Sequence, residues 1–356
     1  VSFPKIEAMW GHSYKSKKIY LENHKLATKD WFDKQIINSN FDDYNTLTKK
    51  AIMLKNTNIR VLPTNSPMFY DPTQPGEGFP FDYNQNSAIK INTPIIVSHL
   101  SKDRAWAYVE SGNVGGWVEI GTIAFVDKKF IQEFKTSNYF ISVKEKFPIY
   151  DPIFREYVKV ATIFPKKGDK YLIAKKDDEQ NALISYIELN DDEIESMPLA
   201  FNTENRIKIA KQLLDEPYGW GGLLNNRDCS SFTQDYFAVF GKYLHRNSKA
   251  QISNGKYLDM SKLSNDEKKE FMRENGVPFS TLVYLKGHIM LYIGAKNNEP
   301  LVFHNIWSVR LKDETGRKYR HIIGKATVTT LEPGVGIKDF DEDTNILNRI
   351  EGIVIL

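Results

Sequence analysis

Apolar residues at Phe232, Tyr236, Val239 and Phe240 recur at the spacing of one helical face, and Gly241 follows where a C-terminal cap belongs. A helix is therefore predicted to open near residue 229. Further on the period changes: Ile289, Leu291 and Ile293 alternate with His288, Met290 and Tyr292 as along a strand, then come a polar turn at 296–300 and a second strand-like run at 301–305. Ahead of both, Asn202 and Thr203 offer a helix cap, Ile207, Ala210, Leu213 and Leu214 form a stripe, and Pro217 stops it. Residues 1–52 read as polar and partly helical, with one helix over 28–37 turning Trp31 or Phe32 and Ile36 inward and a short one over 46–54. Short strands at 60–63, 88–91, 94–99, 106–110 and 116–120, broken by a Pro/Gly loop at 71–80, predict a small barrel. A second set at 139–143, 148–150, 158–164, 171–174 and 182–187, with turns at 166–169 and 175–179, predicts another. A polar helix over 263–272, strands at 307–311 and 321–330, a loop at 332–336 and a last strand at 352–356 complete an α+β chain.

At 356 residues the chain is too long for one ordinary core, and two to four domains are expected. The net charge of +3, with no basic block, gives no ground for nucleic-acid binding. No apolar run reaches the length of a membrane span. Val1 is not a natural start and carries no signal peptide, so a targeting segment is expected to have been removed. The single cysteine excludes an internal disulfide and CxxC-type metal sites, and fits either redox compartment.

That cysteine changes the picture most. Cys229 falls at the predicted helix N-terminus, after the glycine-rich Tyr218-Gly-Trp-Gly-Gly222. Unpaired N–H groups and the helix dipole favour an anion there, so a lowered thiol pKa and a nucleophilic thiolate are expected. A base is supplied by His288. If the two downstream strands pair as a hairpin, any register setting even residues opposite even residues puts His288 and His304 on one face. One can then take the thiol proton while the other orients it. Asn305 alternates to the other face, and His245 and Arg246 read, taken alone, as a solvated helix end.

Tyr218-Gly-Trp-Gly-Gly222, Asp228-Cys-Ser230, His245-Arg-Asn-Ser248 with Gln251, Gly287-His-Ile-Met-Leu-Tyr-Ile-Gly294 and Val302-Phe-His304 fall in an order that resembles the NlpC/P60 cysteine peptidases over about 203–310. The chain departs from the family at 278–281, where Pro-Phe-Ser-Thr replaces the usual Pro-Gly-Asp. The resemblance implies a papain-like domain over 202–356 with Cys229 as nucleophile, His288 as base and His304 as orienter. Tyr218 would support the oxyanion or the substrate, Asp228 a substrate amine, and Ser230 would bind substrate beside it. The strand pieces around Arg60, Trp106 and Gly116 resemble bacterial SH3 domains. SH3-like domains are thus expected over 53–128 and 138–198, behind a bracing segment over 1–52. In related multi-domain enzymes the first SH3 domain helps select a free N-terminal amine, which implies substrate contacts at Asp82, Tyr83 and Glu110.

The implied activity is that of a peptidoglycan hydrolase, an endopeptidase cutting the γ-D-glutamyl–meso-diaminopimelate bond of stem peptides or muropeptides. No cofactor or metal is implied, since the sequence places no further ligand beside His288 and His304. The implied location is the periplasm, the cell envelope or outside the cell. Two rivals stand beside this: a wall-binding protein with an inert cysteine domain, and a papain-like amidase or acyltransferase.

Overall fold

The computed structural model describes residues 2–112 and 114–356. The chain forms two compact units, one running to Leu199 and including Trp220–Asn225, the other made of Ala200–Gly219 and Asn226–Leu356.

In the first unit a short helix α1 (Lys5–Ala8) precedes α2 (Lys29–Asn38), which starts where expected because the Thr28 hydroxyl accepts the Trp31 N–H at 3.1 Å. It buries Phe32 and leaves Trp31 and Ile36 half-buried. Seven antiparallel strands follow: β1 (Lys49–Met53), β2 (Thr57–Arg60), β3 (Gln85–Ile89), β4 (Pro94–Leu100), β5 (Trp106–Glu110), β6 (Gly115–Glu119) and β7 (Ile123–Phe125), ordered β3-β2-β6-β5-β4-β1-β7. The helix expected over 46–54 does not form. Ala51, Ile52 and Met53 are buried in succession between β4 and β7, with Ala51 opposite both Ile95 and Phe125. A segment this short has little helical stability of its own, so pairing on both edges decides its conformation.

After α3 (Lys128–Phe134) come β8 (Tyr139–Ser142), β9 (Phe147–Tyr150), β10 (Phe154–Val158), β11 (Ile163–Lys167), β12 (Lys170–Lys176), β13 (Ala182–Ile187) and β14 (Ile194–Ser196). They make a five-stranded sheet ordered β13-β12-β11-β8-β14 and a β9–β10 hairpin around Phe147, Phe164, Tyr171 and Ile173. The strand expected over 158–164 is two strands, because Ala161 at φ 67° turns the chain between them.

The second unit opens with α4 (Thr203–Leu213), capped by the Asn202 side chain on the Asn205 N–H at 2.9 Å. Its buried face is Ile209 and Leu213; Ile207 and Leu214 of the expected stripe are 37 % and 43 % exposed. Helix α5 (Cys229–Ala238) is followed by α6 (Ser248–Gln251), β15 (Lys256–Asp259) and α7 (Asn265–Asn275). Then come β16 (Thr281–Leu285), β17 (His288–Lys296), β18 (Glu299–Lys312), β19 (Lys318–Thr330), α8 (Ile346–Arg349) and β20 (Ile350–Ile355). The strands form one antiparallel sheet ordered β15-β20-β16-β17-β18-β19, so the last strand in sequence is an interior one. Helix α5 lays Phe232 edge-on against Phe303 of β18, ring centroids 4.6 Å apart, and burying each ring contributes about 1.5–3 kcal/mol. No helix of the described residues is long and apolar enough to cross a membrane.

Two turns fix where the histidines fall. β16 and β17 join through Lys286-Gly287, with Gly287 at φ 87°, which puts His288 first on its strand opposite Leu285. β17 and β18 join through Asn297-Asn298, at φ 52° and 65°, which sets Gly294 opposite Leu301, and a bulge at Ile293 then shifts the register by one residue and sets Tyr292 opposite Val302. Even residues therefore face even residues, as the shared-face argument requires.

Candidate active site

Cys229 is the first residue of α5 because Asp228 caps that helix. The Asp228 carboxylate accepts the Ser231 N–H at 2.8 Å, while the Ser231 hydroxyl accepts the Asp228 N–H at 3.0 Å. Arg246 closes over the cap. Its Nη2 donates to Asp228 Oδ2 at 2.8 Å, and its Nη1 donates to the Ser230 hydroxyl at 2.9 Å. Gln251 completes the clasp, its Nε2 donating to the carbonyls of Ser230 and His245, both at 2.9 Å. Arg246 is thus a buried partner, its side chain 12 % exposed, and no solvated helix end. Asp228 and Ser230, implied as substrate-binding residues, both take part in holding the turn that presents Cys229. Burial works to raise the Asp228 pKa, but the Arg246 guanidinium and the Ser231 hydrogen bonds outweigh it and keep the carboxyl below its usual range.

The thiol departs from expectation. Burial, and then the Asp228 charge, push Cys229 up to about 12, against the Ile289 and Ser230 N–H groups and Arg246, which pull it down. The helix N-terminus is present, but desolvation and the adjoining carboxylate outweigh its field. Helix α5 packs on β17, the strand that His288 opens, and the Ile289 N–H is near enough to the sulfur to act on it.

His288 Nε2 lies 2.8 Å from His304 Nδ1, and His304 Nε2 lies 3.0 Å from the Thr329 hydroxyl. Burial and the Arg349 charge bring His288 down to about 4, with Asp228 opposing. Burial, with His288 alongside, holds fully buried His304 well below the ordinary histidine range. All three shifts favour the neutral forms of the thiol and the imidazoles. Asn305 faces the other way, as expected, its Nδ2 donating to the Arg227 carbonyl at 2.9 Å.

An unfolded histidine titrates near 6.5, so between about 6.5 and about 4 the unfolded chain binds a proton that native His288 refuses. Stability is full above that window and falls as pH drops through it, by up to about 1.4 kcal/mol per pH unit for each such histidine. Urea unfolding at pH 7, 5.5 and 4.5 should show this slope, and His288→Gln should flatten it; an unchanged slope in the variant would contradict the assignment.

Tyr218 sits in the same unit. Its N–H donates to the Gly324 carbonyl at 2.8 Å, and its ring leans on Trp307, centroids 5.8 Å apart, where a bulge interrupts β18. The turn at 278–281 puts Phe279 at φ 60°, a conformation more usual for the glycine it replaces, and bonds its N–H to the Tyr292 carbonyl at 2.8 Å. The glycine-rich loop is divided: Trp220–Asn225 belongs to the first unit, where a Cβ on Gly221 would come within 2.7 Å of the Gln85 carbonyl oxygen.

The remaining expected residues lie in the first unit. Asp82 is buried, with Arg60 Nη1 2.8 Å from Oδ2 and the N–H groups of Met68 and Asn84 on Oδ1. Its carboxylate ties Arg60 to the backbone of Met68 and Asn84. The half-buried Tyr83 packs on Tyr70 and Trp220, its ring centroids 4.5 and 5.8 Å away. Glu110 accepts the Ser2 N–H and hydroxyl. Among the described residues no group of three or more His, Cys, Asp or Glu is arranged to hold a metal ion.

Sequence reading missed Thr329 and undervalued Arg246. For Arg246 a signal existed, since a buried Asp228 calls for a cation. For Thr329 there was none, because a threonine on an edge strand is ordinary.

A cysteine-headed helix packed on an antiparallel sheet that carries two hydrogen-bonded histidines defines a papain-like cysteine peptidase fold. Comparison with known proteins agrees. Residues 215–319 match the NlpC/P60 family and residues 67–119 an SH3 domain of the SH3b1 type. An NlpC/P60 endopeptidase from Photobacterium damselae subsp. piscicida superimposes with a TM-score of 0.90 at 26% identity, over 99% of this chain and 83% of that one. An NlpC/P60 family protein from Bacillus cereus ATCC 10987 shares the fold more loosely, with a TM-score of 0.53 at 16% identity over 86% of this chain and 98% of that one. No curated protein sequence matches the chain. The chain thus carries an NlpC/P60 domain, the domain of a family of cysteine peptidases, over residues 215–319, with an SH3b domain ahead of it over residues 67–119.

Proposed function

We propose that the protein is a peptidoglycan endopeptidase that hydrolyses the amide between γ-D-glutamate and meso-diaminopimelate in stem peptides, and that it works in the cell envelope or outside the cell. The observation that carries this reading is the His288–His304 hydrogen bond beside the helix headed by Cys229. Cys229 is the nucleophile, His288 the base and His304 the residue that orients it. The resting pair is neutral, so the thiol proton passes to His288 as sulfur adds to the carbonyl carbon. The oxyanion forms near the Cys229 N–H at the helix N-terminus, with Tyr218 nearby. His288 then gives its proton to the departing diaminopimelate amine, leaving a thioester. Water attacks that thioester, its proton going to His288, and the thiol and the γ-D-glutamyl acid are released.

No amine gate is part of this proposal. Asp82, Asp228 and Glu110 are bound by Arg60, Arg246 and Ser2 respectively. Mass spectrometry of digests of L-Ala-γ-D-Glu-meso-diaminopimelate should show L-Ala-γ-D-Glu. The same peptide on muramic acid should be cut at a rate within about tenfold, the factor given by 1.4 kcal/mol. Absence of cleavage would sink the proposed bond, and a strong preference for the free amine would show that one of these carboxylates does exchange its partner for substrate.

A further inference from the structure

We propose that Thr329 is a positioning residue that sets the direction of the hydrogen-bond chain through His304 and so leaves His288 with its Nδ1 unprotonated. The inference rests on the catalytic roles proposed above for Cys229 and His288, but its evidence is the chain itself.

His304 is fully buried, so both of its ring nitrogens need partners inside the protein. One is His288 Nε2, 2.8 Å from Nδ1; the other is the Thr329 hydroxyl, 3.0 Å from Nε2. A hydroxyl has one proton to give. Thr329 gives it to the Thr330 carbonyl at 2.7 Å, and a carbonyl can only accept. The hydroxyl must then accept from His304, which places the His304 proton on Nε2. A neutral imidazole protonated at Nε2 has its lone pair on Nδ1. That lone pair accepts from His288 Nε2–H, and neutral His288 in turn keeps its lone pair on Nδ1. Reversing the chain would turn the Thr329 proton onto His304, move the His304 proton to Nδ1 and the His288 proton to Nδ1. His288 would then have no lone pair with which to take the thiol proton.

The fold holds this direction without adjustment during reaction. When His288 becomes an imidazolium its Nε2–H still donates to His304 Nδ1, so nothing behind it turns over. Thr329 reaches His304 because β19 pairs with β18 so that Thr327 lies opposite His304 and Thr329 opposite Val302; Thr329 is thus two residues along on the same face. β19 also holds Asp215 and Tyr218 through the backbone groups of Ala326 and Gly324, which makes it the brace of the site.

The test uses the full chain labelled with 15N-histidine, native and as Thr329→Val and Thr329→Ser. Two-bond 1H–15N spectra, assigned with His288→Gln and His304→Gln, report the protonated nitrogen of each ring. Alkylation of Cys229 by iodoacetamide at pH 7 reports how readily the thiol is deprotonated, with no other cysteine in the chain to interfere. The native protein should show both rings protonated at Nε2. Thr329→Val keeps the shape and removes the hydroxyl; it should bring up rings protonated at Nδ1 and slow alkylation about tenfold, because a His304 Nε2–H would be left as an unpaired buried donor. Thr329→Ser should restore both. An Nδ1-protonated His304 in the native spectrum would overturn the proposal even if the valine variant does not fold, and so would a folded valine variant with unchanged spectra and alkylation. A native protein that shows the Nε2 pattern and alkylates but cuts no peptide would overturn the proposed function and leave this inference standing.

Discussion

Cys229→Ala is expected to lower kcat for stem-peptide hydrolysis by at least about 10⁴-fold while the protein still folds and still binds its substrate. The size follows from the kind of step removed. A neutral thiol at about 12 beside a histidine at about 4 is not a stored thiolate, so the site gains its power only as proton and carbonyl react together. Without the sulfur there is no acyl intermediate, and the oxyanion donors alone can assist only water. Folding should be spared, because the α5 cap is made by Asp228 and Ser231 and owes nothing to the thiol. The measurement is peptide hydrolysis followed by mass spectrometry, with thermal melting as the control for folding. Hydrolysis within tenfold of native in a folded Cys229→Ala protein would remove Cys229 from the mechanism.

Arg246→Ala should be the most destabilising single change at the site, by about 3 kcal/mol, because it strands Asp228 as a buried charge without its cation. For a unit of this size that is a fall in melting temperature of about 6–12 °C. Adding Asp228→Asn should recover most of the loss, since asparagine caps a helix about as well as aspartate and leaves no charge to compensate. In the single variant the unbalanced carboxylate would also push the Cys229 thiol further up, and alkylation would slow. A single variant as stable as native would show that Arg246 does not hold the cap together.

The elements that could be read from the sequence were those with local causes. Thr28, Asn202 and Asp228 cap their helices by side chains acting within three residues. The Asn297-Asn298 turn marks the hairpin that carries His288 and His304, although their shared face also needs the bulge at Ile293, which the alternation did not announce. The five spaced motifs were enough to name the family. Several failures of the sequence reading involve partners far along the chain. Residues 49–53 became a strand because β4 and β7 were there to pair with them. Helix α4 turned Ile209 inward in place of Ile207, because packing across the unit and not the apolar stripe chose its face.

At the site the division is the same. The sequence by itself placed the thiol at a helix start and the two imidazoles on neighbouring strands, because helix start and hairpin turn are short-range, while the bulge at Ile293 put the imidazoles on one face. Tertiary structure alone decided their charge and direction. Whether a helix N-terminus lowers a thiol pKa depends on how much solvent the surrounding fold withholds and on whether a carboxylate adjoins it, and here those two outweigh the dipole. Whether a histidine presents a lone pair depends on the last acceptor in its hydrogen-bond chain, and here that acceptor, the Thr330 carbonyl, stands on a strand the sequence pattern could not place beside His304.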